Sequence, residues 1–493
     1  MSFVIESLRS SKTPWEIFQA VHANSKACFF LDSPDSDRTR YLKGQGRSNL
    51  YSYIGMDPDL EIRLDEKTVL VEGERREKYP AEKFFPAFKN ILKKHQIRGR
   101  NPHPFFTGGF IGYFGYETAD LCDKIQFRAK LAPDMPRLYF GLFRNVIVYD
   151  QQKRVYHLVI NGHGAQSVER GVKKLKSYFA ESSARSARPF KLKKFAAEMT
   201  QGRFTRMVRK AKEYIAAGDI YQANLSQRFS FGYGGSSLAL YGKLRAINPS
   251  PFSCFLKTRE LEVVSSSPER LIRKKGDLCE TRPIAGTCPA RGSSGKLSEW
   301  RKRLLRNEKE RAEHLMLVDL ERNDLGRVCG YRSVKVEEFM TLEKYSHVVH
   351  LVSRVTGRLK KGKDVLDLIR AVFPGGTITG CPKIRCMEII DELEPVRRGL
   401  YTGSLGYIDR YGDMDLNIVI RTLLLKNGKG HLQVGAGIVH DSDPEKEYEE
   451  TLHKAEALIQ ALREADTRRN EQSATLNEKN QARFSRCALP VER

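Results

Sequence analysis

The chain has no run of about 18 apolar residues, so no membrane-spanning helix is expected. The opening stretch, MSFVIESLRSSKTPWEIFQ, carries an early acid and no continuous apolar core, so it is not expected to be a signal peptide. The nine cysteines are scattered and odd in number. None forms CxxC, and the tightest pair is Cys381 and Cys386. That argues against a zinc site or a disulfide frame and fits reduced thiols in a cytoplasmic protein. There is no GxxxxGK[ST], hence no nucleotide P-loop. A long basic block is also lacking: the net charge of +25 is spread out, with dense spots only at Arg185–Lys194 and Arg358–Lys363. Without zinc-finger spacing or an RNP-type aromatic motif, this charge suits attraction of small anions and not nucleic acid.

What is present is a soluble-type composition, 40% hydrophobic over 493 residues, enough for a large core and for two or three domains. The Ser/Arg/Lys-rich stretch Ser182–Lys194 breaks the periodicity and reads as a linker. It separates an N-terminal region, 1–180, from a C-terminal region, 195–466; residues 467–493 read as a disordered tail. In the first region ACFFLDS (27–33) and LYSYIG (50–55) read as strands, FFTGGFIGYFGY (105–116) as a strand pair, and 139–150 with 154–161 as a hairpin.

The second region is denser in chemistry. Phe373–Arg398 opens with Gly375 and Gly376, a turn that would let backbone amides approach an anion, and becomes helical after Cys381-Pro382-Lys383. Arg203–Ala217 reads as an amphipathic helix with Phe204, Val208, Ala211 and Ile215 inward and Gly218 at its end. In the strand that follows, Gln222, Asn224, Ser226 and Arg228 share one face, which either meets solvent or lines a cavity. Residues 299–319 read as a charged helix with Leu305, Ala312, Leu315 and Met316 inward and Glu310 and Glu313 adjacent on another face. The last helix, capped by Asp443-Pro444, turns Tyr448, Leu452, Ala455, Ile459 and Leu462 inward and puts Glu447, Glu450 and Lys454 on a second face. Two such acidic pairs either face water or converge on a cation. Their oxygen-only donors would suit Mg²⁺ beside an anionic substrate. Arg421, in a strand read from DLNIVIRTLLL, would want a carboxylate, and Gly435-Ala436-Gly437 in an apolar run would mark a close approach.

These stretches together resemble a known family. GDIYQANLSQRF, SSSPERLI, TRPIAGT, AEHLMLVDLERNDLGRV, YSHVVHLVS, FPGGTITGCPKIRCMEIIDELEPVRRG, YTGSLGY and GAGIVHDSDPEKEYEETLHKA follow, in order, the motifs of the chorismate-utilising enzymes. Within that family the resemblance is to component I of aminodeoxychorismate synthase and of anthranilate synthase. It implies an α/β (α+β) fold, a two-lobed sandwich of antiparallel sheets with helices packed outside. It implies Mg²⁺ held by Glu310, Glu313, Glu447 and Glu450. Tyr401, Arg421, Lys454 and the backbone of Gly435, Ala436 and Gly437 match groups that hold the substrate's carboxylates. Thr377 matches a substrate contact, Glu269 the general acid for the departing 4-hydroxyl, and His350 the histidine near the ring. His347 keeps a structural reading.

Two positions separate branches of that family. Relatives that add water carry a Lys where this chain has Gln222, and an amide takes no proton at neutral pH, so the implied nucleophile is ammonia. Many aminodeoxychorismate synthases carry a Lys where this chain has Ala285, a residue typical of anthranilate synthases. YQANLSQRF and FPGGTITGCPK favour the aminodeoxychorismate side, which is the expectation here. No glutaminase part is found in the sequence, so the resemblance implies a separate glutamine amidotransferase subunit. FFLDS resembles the stretch where anthranilate synthases bind tryptophan, with Asp in place of Glu.

Overall fold

The structure, a computed structural model, describes residues 2–33, 50–128, 135–162, 164–181, 188–289, 308–344 and 348–466. Among the described residues two antiparallel sheets of twelve strands each dominate; eleven of each run in one path, and Gly380–Cys381 adds to the first beside Gln222–Gly234 as Lys335–Lys344 adds to the second beside Val348–Arg358. In the first, Ser2–Leu8, Val155–Gly162, Val146–Asp150, Tyr51–Met56 and Cys28–Asp32 are followed by Phe252–Lys257, Glu262–Ser267, Thr422–Lys426, Lys429–Ile438, Gln222–Gly234 and Lys191–Ala197. In the second, Ile284–Pro289, Val348–Arg358, Leu278–Thr281, Arg270–Lys275, Met414–Asn417 and Ser404–Asp409 lead to Gly109–Phe114, Leu138–Phe143, Leu60–Leu64, Thr68–Glu72 and Arg76–Pro80. Each sheet thus joins strands from before and after residue 182, with Phe30 opposite Phe255 at one seam and Gly112 opposite Gly406 at the other. The second seam needs its glycines: a Cβ at Gly112 would lie 1.9 Å from the Tyr139 carbonyl oxygen.

The alternation of strand side chains explains the layers. Phe29, Ile111, Tyr113, Phe143, Val148, Leu256, Val263 and Leu405, from both sheets, fill the sandwich interior. The outer face of the first sheet packs on Pro14–Asn24, Ala165–Ala180, Ser237–Ile247 and Pro444–Ala465 through Phe18, Leu175, Leu240 and Leu458. The outer face of the second packs on Phe84–His95, Glu308–Gly326 and Val365–Val372 through Phe88, Leu325 and Leu368. This is the helix-covered antiparallel sandwich that the motif resemblance implied. No helix among the described residues is long and apolar enough to cross a membrane.

Several local readings need correction. Of the stretch read as a linker, 182–187 lie outside the described residues, while Lys191–Ala197 is a strand on Gln222–Gly234. FFTGGFIGYFGY holds one strand, Gly109–Phe114, followed by a 3₁₀ turn, Tyr116–Leu121. The hairpin is Val146–Asp150 with Val155–Gly162, because Leu138–Phe143 belongs to the other sheet. In Glu308–Gly326 the inward stripe is His314, Leu317, Val318, Glu321, Asp324 and Leu325. Ala312 is exposed and Leu315 is 49% exposed, since the apolar run Leu315–Val318 does not by itself set the phase of the helix. Leu305, His347 and the tail 467–493 lie outside the described residues.

Candidate active site

The site is built on one strand pair. Gln222–Gly234 lies beside Lys429–Ile438, with Asn224 opposite Gly437, Leu225 opposite Ala436 and Ser226 opposite Gly435. Gln222, Asn224, Ser226 and Arg228 are all buried, which excludes the solvent-facing reading of this face. Each has a polar partner, as burial demands. Gln222 Nε2 donates to Glu313 Oε1 at 2.9 Å, and Asn224 Nδ2 to the Ile378 carbonyl at 3.1 Å. The Ser226 hydroxyl donates to Glu394 at 2.7 Å, and Arg228 pairs with Glu198 at 2.7 Å. Across the pair the glycines make room for polar groups. A Cβ at Gly437 would stand 2.5 Å from Gln222 Nε2, and one at Gly435 2.7 Å from the Tyr401 hydroxyl.

Both acidic helices reach this strand pair. The Asp443 side chain caps the last helix by accepting from the Lys446 amide, and Tyr448, Ala455, Leu458 and Leu462 bury its inner face. Its other face carries Glu447, Glu450 and Lys454, of which Lys454 reaches the strand pair. Lys454 Nζ donates to the Gly435 carbonyl at 3.0 Å and pairs with Glu450 at 2.6 Å. Glu308–Gly326 brings in Glu313, which Gln222 holds. The Glu310 side chain lies outside the described residues, and among those described no three acid, His or Cys side chains are gathered as a metal cluster.

Glu269 lies between strands Glu262–Ser267 and Arg270–Lys275, and its carbonyl accepts from the Ile418 amide. Its carboxyl is buried and Oε1 has no hydrogen-bond partner. Burial pushes its pKa up to about 7, against the lowering influence of the nearby Thr377 hydroxyl, Arg421 and Lys454. The Thr377 Oγ1 lies beside this carboxyl but is not aligned to hydrogen-bond. A carboxyl so placed keeps its proton near neutrality, as a general acid must. Arg421 is not inside a strand: it sits between Met414–Asn417 and Thr422–Lys426 at φ +51°, half-buried. Gly375 and Gly376 are closely packed: a Cβ at Gly376 would lie 2.2 Å from Leu320 Cδ2. Lys383, at the start of helix Lys383–Leu393, is engaged with Asp324 and the Val372 carbonyl and does not serve an anion.

Tyr401 is held by a buried frame. The Arg398 guanidinium lies 5.6 Å from its ring, pairs with Glu394 at 2.7 Å and bonds the Ile378 carbonyl. Burial raises the Tyr401 hydroxyl to about 12, so it stays a donor. His350 is buried in strand Val348–Arg358, in register with Thr287 and Glu343. Strand Ile284–Pro289 ties it to the site, because Ala285 pairs with Leu351 while the neighbouring Ile284 backbone lies near Glu269. The structure therefore brings together Gln222, Glu269, Glu313, Thr377, Tyr401, Arg421, Gly435, Gly437 and Lys454. Sequence reasoning missed the burial of the acids Glu321 and Asp324 on helix Glu308–Gly326. Their signal was available: Glu313, Leu317, Glu321 and Asp324 recur at helical spacing. FFLDS borders a separate cavity of about 250 Å³ lined by Tyr51, Tyr53, Phe252, Arg273 and Tyr407. There Asp32 is already paired with Arg245 at 2.7 Å.

Buried Glu269, with Thr377, Arg421 and Lys454 near it, and the Gln222–Glu313 contact make a polar site of a kind suited to acid–base chemistry on a small anion. Comparison narrows the class: residues 26–460 match the chorismate binding enzyme family, and the chain belongs to it. It is 42% identical to aminodeoxychorismate synthase component 1 of Bacillus subtilis over 87% of this chain and 92% of that protein. It is 38% identical to anthranilate synthase component 1 of Methanothermobacter marburgensis, covering 92% of this chain and 93% of that one. The crystal structure of anthranilate synthase component I from Streptococcus pneumoniae superposes with a TM-score of 0.75 at 31% identity, over 85% of this chain and 94% of that chain.

Proposed function

We propose that this chain aminates chorismate at C4, giving 4-amino-4-deoxychorismate in the cytoplasm, with ammonia delivered by a separate glutamine amidotransferase subunit. The observation that carries the reading is Gln222. Its amide is fixed by Glu313, and its Oε1 has no partner and is available to accept a hydrogen bond from ammonia. It has no basicity with which to activate water. Tyr401, Arg421, Lys454 and the Gly435–Gly437 backbone hold the two carboxylates. Glu269 protonates the departing hydroxyl, which leaves as water, and recovers a proton from the ammonium adduct. Ammonia enters and water leaves, with no net proton change. His350 and Thr377 flank the ring. Glu310, Glu313, Glu447 and Glu450 offer only carboxylate oxygens, which fit Mg²⁺, and the ion would supply Lewis-acid neutralisation of the anionic substrate.

The similarity to the Bacillus subtilis aminodeoxychorismate synthase component supports C4 as the site of amination. Ala285, with the similarity to anthranilate synthase components, favours the second reading: amination at C2 with loss of pyruvate to give anthranilate. The test is a product assay with chorismate, Mg²⁺ and ammonium at alkaline pH, resolved by HPLC with and without aminodeoxychorismate lyase. A product that becomes para-aminobenzoate only with the lyase is expected. Anthranilate formed without the lyase would overturn the C4 assignment in favour of C2.

A further inference from the structure

Two cysteines meet under the helices that cover the second sheet, and neither belongs to the groups assigned to chorismate above. Cys279 sits in strand Leu278–Thr281, directly opposite Gly357 of strand Val348–Arg358. Cys329 follows the end of helix Glu308–Gly326 and is bridged to Leu359. Opposed residues of an antiparallel pair hold their Cβ atoms about 4.5–5.5 Å apart on one face. Gly357 has no Cβ, and Cys329 fills that place: a Cβ at Gly357 would stand 2.7 Å from Cys329 Sγ and 3.1 Å from Cys329 Cβ. Cys329 thus occupies the position from which a side chain would face Cys279, and the two thiols are hydrogen-bonded. Both residues are buried, but the cover over Cys329 is thin. In the turn beside it Tyr331 is 88% exposed, and Arg332 is exposed at φ +58°.

We propose that Cys279 and Cys329 are a modification site: a peroxide closes them to a reversible disulfide that staples the turn after helix Glu308–Gly326 to the second sheet. Cys329 is the attacking sulfur, because the thiolate is the nucleophile. The hydrogen bond from Cys279 and the Lys360 charge draw the Cys329 thiol down against the opposing effect of burial. Its thiolate breaks the peroxide O–O bond, giving a sulfenic acid and hydroxide. Cys279 then attacks that sulfur, the S–S bond forms, and the sulfenic oxygen leaves as a second hydroxide. The two thiol protons and two hydroxides make two waters. The sulfurs lose two electrons, and the peroxide gains them. Strand Leu278–Thr281 is held between Arg270–Lys275 and Val348–Arg358, so the turn carrying Cys329 is the part that moves. The new bond closes residues 279–329 into a covalent loop that contains strand Ile284–Pro289 and Glu313.

The experiment treats the folded full chain, reduced and freed of reductant, with a small molar excess of hydrogen peroxide. The protein is then alkylated in denaturant and digested without reduction for mass spectrometry. Titratable thiols should fall by two from the nine of the chain. A linked peptide pair joining Cys279 to Cys329, lighter than the free pair by two hydrogens, should appear and be lost on adding dithiothreitol. A cross-link across so long a loop restricts the unfolded chain, so the thermal midpoint of the oxidised protein should rise by about 3 °C or more and return on reduction. In Cys329→Ala peroxide should leave both the thiol of Cys279 and the midpoint unchanged. The wild-type peptide map decides the case even if that variant does not fold. Cys279 and Cys329 both found alkylated after peroxide, thiols lost only at other cysteines, or a sulfinic acid at Cys329 with no linked peptide overturns the inference. A midpoint unmoved or lowered by the cross-link overturns the staple.

Discussion

Glu394 and Glu269 are both buried carboxyls, and their surroundings are opposite. Glu394 is saturated: Arg398 bonds both of its oxygens, and the Ser226 amide and hydroxyl complete the set. Arg398 in turn lies 4.8 Å from the Tyr116 ring and donates to Thr402 and to the Ile378 carbonyl. Glu269 has a bare oxygen and no ion-pair partner among the described residues. The saturated acid is tied down from two sides, and its partner Arg398 lies against the Tyr401 ring. The unsaturated acid holds a proton that it can give away. Charge compensation therefore separates the saturated carboxyl from the one that burial leaves able to hold a proton.

The largest effect should come from breaking the saturated pair. Arg398→Leu leaves Glu394 as a buried charge without its cation, and such a loss costs about 3–5 kcal/mol. Urea titration should show that loss as a lower midpoint with an unchanged slope; a change under about 1 kcal/mol would mean that Arg398 does not carry the frame.

Glu269→Gln should do the reverse, lowering kcat by about 10²- to 10⁴-fold through loss of the acid while leaving the fold intact. Its pH signature has a definite sign. The folded pKa of Glu269 is raised from 4.5 to about 7, so its favourable contribution is full below 4.5 and is lost as pH rises through 7. The variant lacks that loss and should be more stable relative to wild type at pH 8 than at pH 5. Chemical denaturation at the two pH values checks it, and an unchanged difference would place an ionised Glu269 in the fold.

The contrast also explains what the sequence made legible. Helix stripes such as Phe204, Val208 and Ala211, the Asp443 cap and the sandwich class follow from periodicity, capping and motif order. Saturation does not. Arg398 and Glu394 are four residues apart in the sequence, a spacing that gives no sign of burial, yet they are 3% and 4% exposed. Glu321 lies past the 299–319 bounds read for the charged helix, whose inward face is read as Leu305, Ala312, Leu315 and Met316; the helix is Glu308–Gly326, and a run of apolar residues hides the phase that buried acids reveal. The polar face of Gln222–Gly234 was ambiguous for the same reason: its partners, Glu313, Ile378 and Glu394, lie 91 to 168 residues away.

A smaller effect tests the close approach at the strand pair. In Gly437→Ala the new methyl would meet Gln222 Nε2 at 2.5 Å and must displace the amide from Glu313. We expect kcat/KM for ammonia to fall about tenfold, roughly 1.4 kcal/mol, with the unfolding midpoint nearly unchanged. Steady-state kinetics with ammonium as the varied substrate decides this; wild-type values would show that Gln222 does not need its present position.

The smallest effect sharpens the comparison from outside. Arg209 and Glu445 form an ion pair at 2.8 Å, as short as many in the cleft, but their side chains are 56% and 52% exposed. Water already solvates both charges, and holding two long side chains together costs entropy, so the pair should contribute less than about 1 kcal/mol. Arg209→Ala, measured by urea titration beside Arg398→Leu, should therefore barely move the midpoint, and added salt should not change that result. If Arg209→Ala cost as much as Arg398→Leu, distance rather than burial would govern these pairs, and the division between saturated frame and proton-holding acid would lose its physical basis.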